Sequence, residues 1–173
     1  MVLGMSLPTF TLLHVIISLI GIGSGLIVLY GLLSAKRMDG GTVIFLLFTV
    51  LTSVTGFLFP FVHLLPSHKV GIISLVLLAI AIAARYLFHM AGAWRSTYVV
   101  SAVMSLYLNC FVLVAQAFLK APALHALAPT GTEPPFLVAQ LIVLVIFIGL
   151  TILAVKRFKN ANLASDSVRR QAA

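Results

Sequence analysis

Residues 136–155 read FLVAQLIVLVIFIGLTILAV, twenty residues without a charged side chain. The hydrocarbon core of a bilayer is about 30 Å thick, so a helix that crosses it needs roughly 20 apolar residues in succession. The run is too long for a barrel strand, and it lacks the alternation of lipid-facing and lumen-facing residues that such a strand requires. This stretch therefore predicts a membrane-spanning helix.

Four similar stretches precede it, at about 10–33, 42–65, 70–92 and 98–119. Every backbone amide inside a bilayer must be paired within its own segment, which a helix achieves. The predicted fold class is all-α, an integral membrane bundle of five transmembrane helices. We expect residues 1–160 to form a single domain and residues 161–173 to form a flexible basic tail.

The composition supports this class, since 62% of the residues are apolar and only 8% are charged. In soluble domains about a quarter of the residues are charged. Cys110 is the only cysteine, so a disulfide framework within the chain is excluded. The net charge is +8, but no basic face with interleaved aromatic residues is present, and nucleic acid is not an expected partner.

The basic residues predict an orientation, because Lys and Arg in short loops stay on the cytoplasmic side. Five spans put the two termini on opposite sides of the membrane. With the C-terminus inside, only Lys69 and Lys120 fall outside, while the cytoplasmic side receives Lys36, Arg37, Arg95, Lys156, Arg157, Lys159, Arg169 and Arg170. We therefore expect an outward N-terminus and a cytoplasmic C-terminus, with the basic tail on anionic lipid heads.

Four of the five histidines fall on the predicted outer side. His14 lies near the outer start of the first span and His63 near the outer end of the second. At 1.5 Å per residue each lies about 4–8 Å from the outer boundary, so the two rings are able to face each other. His68 is interpreted as a solvated turn residue, and His125 lies in a long loop of residues 120–135 that we expect to be extended.

Amide side chains extend this pattern into the spans. Asn109 and Gln116 share a stripe on the fourth span, and Gln140 lies near the outer end of the fifth. Polar side chains in spans normally face the bundle interior. With His14 and His63, these residues predict a polar pocket that opens outward.

Three ligands suit such a pocket. Two imidazoles at matched depth are typical of axial ligation of haem b. His14, His63 and His125 are candidate ligands for a metal ion, with His68 as a substitute for His125, because imidazole suits zinc, copper and iron. A quinone headgroup would accept hydrogen bonds from His, Asn or Gln. The alternative is that the histidines are boundary residues and the amides only bond neighbouring helices.

The first functional hypothesis is therefore a binding module, as part of a membrane redox assembly. The second is a structural or assembly subunit of a larger membrane complex without its own ligand, and the third is a small transporter. The sequence contains no hydrolase, kinase or metalloprotease signature. Catalysis of those kinds is not expected.

Two features are predicted to be structural. Arg85 lies inside the third span, where a charge is costly unless it is paired. Asp39 is the only acid that the topology places nearby, so we predict an Arg85–Asp39 ion pair. Gly21 and Gly25 have the spacing that lets two helices approach closely, and packing within the chain is favoured over dimerisation.

Three stretches carry a resemblance: TSVTGFLFP at 52–60, YLNCFVLVAQAF at 107–118 and PALHALAP at 122–129. They resemble small multi-spanning bacterial inner-membrane proteins of an uncharacterised family. The resemblance implies a bacterial cytoplasmic membrane. It implies no activity.

Overall fold

The computed structural model describes residue 2, residues 4–60 and residues 66–171, with the side chains of 66 and 159–171 left aside. In this part of the chain all regular structure is helical, and five of its helices are long and apolar enough to cross a membrane. The prediction of an all-α chain with five candidate membrane helices is confirmed at this level. The helices indicate a membrane protein.

The helices are, in chain order, α1 (Leu7–Leu33), α2 (Asp39–Gly56), α3 (Pro66–Ile82), α4 (Trp94–Lys120), α5 (Pro122–His125) and α6 (Pro134–Gln171). A π-helical turn, Ala83–Leu87, continues α3. The loop predicted as extended at 120–135 contains α5, and Ala128 within it is buried. The backbone of the predicted tail continues α6 as far as Gln171.

The start of α1 and the end of α2 lie at the same end of the bundle and show which residues set the limits of a helix. Ser6 caps α1, since its Oγ accepts a hydrogen bond from the amide of Thr9 at 3.3 Å. The second span was predicted to reach residue 65, but α2 ends at Gly56. Pro60 has no amide hydrogen and disfavours helical geometry at the residue before it, so the helix stops short.

The five long helices form a closed ring in the order α1, α2, α3, α4, α6 and back to α1. Helix α4 contacts all the other helices, including α1 and α2, which are not its neighbours in the ring. Its buried residues Tyr98, Val99, Val103 and Leu106 make the centre of the core. The outer surface of the bundle is rich in exposed Leu, Ile and Val, as expected for contact with lipid.

Close packing at Gly25 brings α1, α2 and α4 together. A Cβ atom added there would lie 2.6 Å from Cδ1 of Leu106 and 2.9 Å from the ring of Phe45. At Gly21 the nearest atom, Oγ1 of Thr49, would be 3.4 Å away. The two glycines therefore form a contact inside the chain. Below, the "His14 end" is the end of the bundle with Leu7 and Gly56, and the "Arg85 end" is the end with Leu33 and Asp39.

Candidate functional site

His14 bridges α1 and α2. Its Nδ1 lies 2.7 Å from Oγ1 of Thr55, and that hydroxyl also lies 2.7 Å from the carbonyl oxygen of Leu51. A hydroxyl has one hydrogen to donate, and the carbonyl oxygen can only accept it. Thr55 therefore donates to Leu51 and accepts from the Nδ1–H group of His14. In the neutral ring this tautomer leaves the lone pair on Nε2.

The imidazole is half-buried against the end of α2. The ring of Phe59 meets it edge-on, with 5.2 Å between ring centroids, and Phe59 also packs against Phe10 at 5.0 Å. Gly56, the last residue of α2, presents no side chain toward the ring, and a Cβ there would lie 3.8 Å from Cε1 of His14. The ring is thus held in place by a hydrogen bond on one side and an aromatic edge on the other.

The other histidines of the predicted pocket are distributed differently. His63 lies outside the described residues. His68 lies in the first turn of α3 and is only 4% exposed, with its ring 5.6 Å from that of Phe57. The interpretation of His68 as a solvated turn residue is therefore wrong, because α3 already begins at Pro66. His125 is exposed at the end of α5.

A bare metal ion needs about three protein ligands close together. Within residues 4–60 and 66–171, as far as their side chains are described, no three His, Cys, Asp or Glu side chains come together to hold an ion. The predicted set of His14, His63 and His125 includes a residue outside that part. It stays a prediction.

The amides fall into two environments. Asn109 is buried and its Nδ2 lies 3.4 Å from Oγ1 of Thr49 on α2, while Nε2 of Gln140 donates to the carbonyl of Phe111 at 3.0 Å. Oε1 of Gln140 is buried and has no hydrogen-bond partner in the described part of the chain. Gln116 is exposed. It lies two turns beyond Asn109, at the level where α2 has ended at Gly56, so no residue of α2 covers this face of α4.

A second polar group occupies the Arg85 end. Arg85 lies in the π-helical turn and donates from Nη2 to Oδ1 of Asp39, the first residue of α2. Its guanidinium carbon lies 5.3 Å from the ring centroid of Tyr98 and 5.7 Å from that of Tyr86, within range of cation–π attraction. The structure thus brings together the two residues of the predicted pair, and it adds two aromatic rings.

Tyr98 and Thr42 complete this group, and the sequence did not single out either. The Tyr98 hydroxyl lies 3.3 Å from Oγ1 of Thr42, which donates to the carbonyl of Met38 at 2.8 Å. Tyr98 is therefore the donor to Thr42. The available signal was the spacing of Thr42, three residues after Asp39 and so on the same helical face.

A tight loop ends the third span earlier than predicted. His89, Met90 and Gly92 all have positive φ angles, at 48°, 56° and 52°. The rings of Phe88 and Trp94 stack across the loop with 3.8 Å between centroids and 5° between planes. His89, four residues after Arg85, lies in this loop and is exposed.

Two polar groups thus lie at opposite ends of the bundle, one around His14 and one around Arg85, and single contacts such as Asn109 with Thr49 lie between them. Searches of protein-family models, of curated proteins and of solved structures found no match for this chain.

Proposed function

We propose that this chain is a polytopic protein of the bacterial cytoplasmic membrane that binds a redox ligand through His14 at its outward end. The five apolar helices and the distribution of Lys and Arg support the membrane placement, with the N-terminus outside and the C-terminus cytoplasmic. The Arg85 end then faces the cytoplasm and the His14 end faces outward.

Cysteine labelling tests this orientation. Cys110 is replaced by serine, and single cysteines are introduced at Thr132 near the His14 end and at Ser34 at the Arg85 end, both of which are exposed. A membrane-impermeant maleimide added to intact cells should label Thr132→Cys and should leave Ser34→Cys unlabelled. The reverse pattern would overturn the orientation.

The hydrogen bond between His14 and Thr55 is the observation that carries the ligand proposal. A histidine that binds a metal through one ring nitrogen usually donates its other ring N–H to a neighbouring acceptor, which fixes the tautomer. Thr55 is such an acceptor, and Nε2 of His14 keeps its lone pair. The residues present therefore fit a ligand that accepts a lone pair from an imidazole.

The number and kind of protein groups that each ligand needs give an order of preference among the three. A haem iron needs only one or two imidazoles from the protein. A bare metal ion needs about three protein ligands, and the described residues bring no such group together. A quinone carbonyl needs a donor, and because the N–H of His14 is bonded to Thr55, the donor would have to be an amide such as Gln116 rather than His14. We therefore place haem b first; His14 would be the residue that holds its iron, and the haem would supply one-electron redox chemistry.

An absorption spectrum of the purified protein tests this proposal. Protein made with haem supplied should show a Soret band, and His14→Ala should lose it. His125→Ala is the matched control, because His125 is exposed on α5, and it should keep the band. His63→Ala tests the predicted second axial imidazole. A wild-type protein with no Soret band would exclude haem, and metal analysis and solvent extraction would then decide between an ion and a quinone.

The second candidate, a subunit of a larger membrane complex, is favoured by Gln116. This amide is exposed on α4 and forms no hydrogen bond within the described part of the chain. A polar side chain facing lipid gains stability when a neighbouring helix offers a partner. Gln116→Leu should then reduce co-purification of a membrane partner, while Leu113→Ala, at another exposed site on α4, should not. A wild-type protein that purifies as a monomer would argue against this candidate.

A further inference from the structure

A cavity of about 340 Å³ lies between α2 and α3 toward the Arg85 end. Four side chains of α2 and two of the third span line it: Val43, Leu46, Leu47, Val50, Ile82 and Tyr86. The lining surface is apolar, and the cavity opens onto the outside of the bundle rather than into its core.

Polar contacts join the two helices on either side of this gap. Ser53 donates to Oγ of Ser74 at 3.2 Å, and Asp39 binds Arg85. Along α2, residues 39 and 53 are about 21 Å apart at 1.5 Å per residue. The helices are therefore held together at two levels with a space between them, so the gap belongs to the packing of α2 on α3.

An open apolar gap in a membrane protein is filled by hydrocarbon. Val43 and Leu47 are both 53% exposed, so a chain in the gap would contact them directly. Side chains that line an empty space lose dispersion contacts, and an occupant restores them. A lipid acyl chain is flexible and apolar, which suits a narrow cavity that is open to the bilayer.

Charged residues of both signs lie at and just before the start of α2, on the Arg85 side of the gap. The side chain of Asp39 is 74% exposed, and only its Oδ1 is bonded, to Arg85. Lys36 and Arg37, exposed just before α2, have side chains without a hydrogen-bond partner in the described part of the chain. This end of α2 therefore offers a ligand head one carboxylate oxygen and two cations that have no partner within the described part of the chain.

We propose that the gap binds a phospholipid whose headgroup joins a primary ammonium to a phosphate. One acyl chain lies against Val43 and Leu47, the ammonium donates to Oδ2 of Asp39, and the phosphate binds Lys36 and Arg37. A purely anionic lipid would place no cation on Asp39. A choline headgroup has no N–H to donate, and a quinone would use none of the three charges.

The aromatic residues at the Arg85 end are consistent with a lipid headgroup at this end of the gap. Phe88 and Trp94 are stacked and partly exposed, and Tyr86 lines the gap. Trp and Tyr are enriched at the membrane–water interface, where lipid headgroups lie. The headgroup of a lipid bound in the gap would therefore lie at its normal level in the membrane.

Lipid competition with the full-length protein tests the proposal. Delipidated protein in detergent is incubated with phosphatidylethanolamine, phosphatidylcholine and phosphatidylglycerol of identical acyl chains, and bound lipid is counted by native mass spectrometry. A charge-assisted hydrogen bond to Asp39 should give about tenfold more bound ethanolamine lipid than choline lipid. Equal retention of these two lipids, or strongest retention of the glycerol lipid, would overturn the proposal.

Two pairs of variants locate the site. Val43→Trp fills the gap and should abolish the preference, whereas Ile44→Trp, exposed on the same turn but outside the lining, should keep it. Replacing Lys36 and Arg37 by glutamine should reduce retention of the ethanolamine lipid severalfold. Lys156→Gln at the same end of the bundle is the control for loss of positive charge and should have no such effect. A wild-type preference that survives Val43→Trp would place the lipid elsewhere.

Discussion

Arg85 and Asp39 form an ion pair whose two members differ in exposure: 8% of the Arg85 side chain is exposed, against 74% of the Asp39 side chain. The buried charge thus depends on a carboxylate that reaches it from the surface. Removing either partner breaks the same contact, but the two removals leave different groups behind.

Asp39→Asn should destabilise the protein more than Arg85→Met. The first variant leaves a buried guanidinium without its counter-ion, whereas the second leaves an exposed carboxylate. We expect a loss of about 1–3 kcal/mol for Asp39→Asn and less than about 1 kcal/mol for Arg85→Met. Reversible unfolding in mixed micelles measures both values. Equal losses would show that the buried charge is compensated by other groups, such as the ring of Tyr98.

Thr55→Val should change the tautomer of His14. The variant removes the only acceptor that the described structure offers to the Nδ1–H group, with a loss of about 0.6–2 kcal/mol. Nitrogen NMR of labelled histidine should show a neutral ring protonated at Nδ1 in the wild type and a mixture of tautomers in the variant. Thr55→Ser keeps a hydroxyl and is the control. A wild-type ring protonated at Nε2 would reverse our assignment of donor and acceptor.

Gly25→Ala should be strongly destabilising. The added methyl group would meet Leu106 and Phe45 at distances below 3 Å, in a core where α1, α2 and α4 are already in contact. Overpacking of this kind costs about 1–3 kcal/mol. Gly23→Ala is the matched control, because no atom lies within 4 Å of a Cβ at that position. Thermal unfolding of the two variants should therefore differ, and a similar melting temperature for both would contradict the packing described here.

The loop before α6 should weaken in acid. Glu133 accepts hydrogen bonds from the amides of Thr130 and Thr132 and from the hydroxyl of Thr130, and the Thr130 amide is the largest cause that lowers the pKa of Glu133 to about 2. The unperturbed pKa is 4.5. Because the folded-state pKa is the lower one, this stabilisation is fully present above about pH 4.5 and is lost as the pH falls toward about 2.

Glu133→Gln isolates this effect. The difference in melting temperature between wild type and variant, measured against pH, should be constant above pH 4.5 and should shrink between pH 4.5 and 2. A difference that does not change with pH over this range would mean that the carboxylate charge contributes nothing to the loop.

Hydropathy was sufficient for the number of long helices, because lipid imposes its requirement on every residue of a span. It could not place their ends. The end of α2 depends on Pro60, and the end of the third span depends on a loop in which His89 and Met90 adopt positive φ angles. These positive φ angles depend on tertiary packing around the loop, and the two residue types alone do not predict them.

The polar contacts were predictable where few partners existed. Asp39 was the one acid near Arg85 in the predicted topology, so the pair followed by elimination. Tyr98 and Thr42 were missed because hydroxyl groups are common in spans and their partners depend on helix rotation. The position of Gln116 was also out of reach, since its exposure depends on where a neighbouring helix stops.

Helix α4 contacts all the other long helices of the bundle, although three of them precede it in the chain. During synthesis, α1, α2 and α3 therefore enter the membrane before the helix that supplies partners to Thr49, Thr42 and Arg85. Until α4 is inserted, these polar groups have only water, the insertion machinery or each other as polar partners. The order of translation thus makes the arrival of α4 the step at which these polar groups gain their partners, and a chain truncated before Trp94 should be retained by the insertion machinery or degraded.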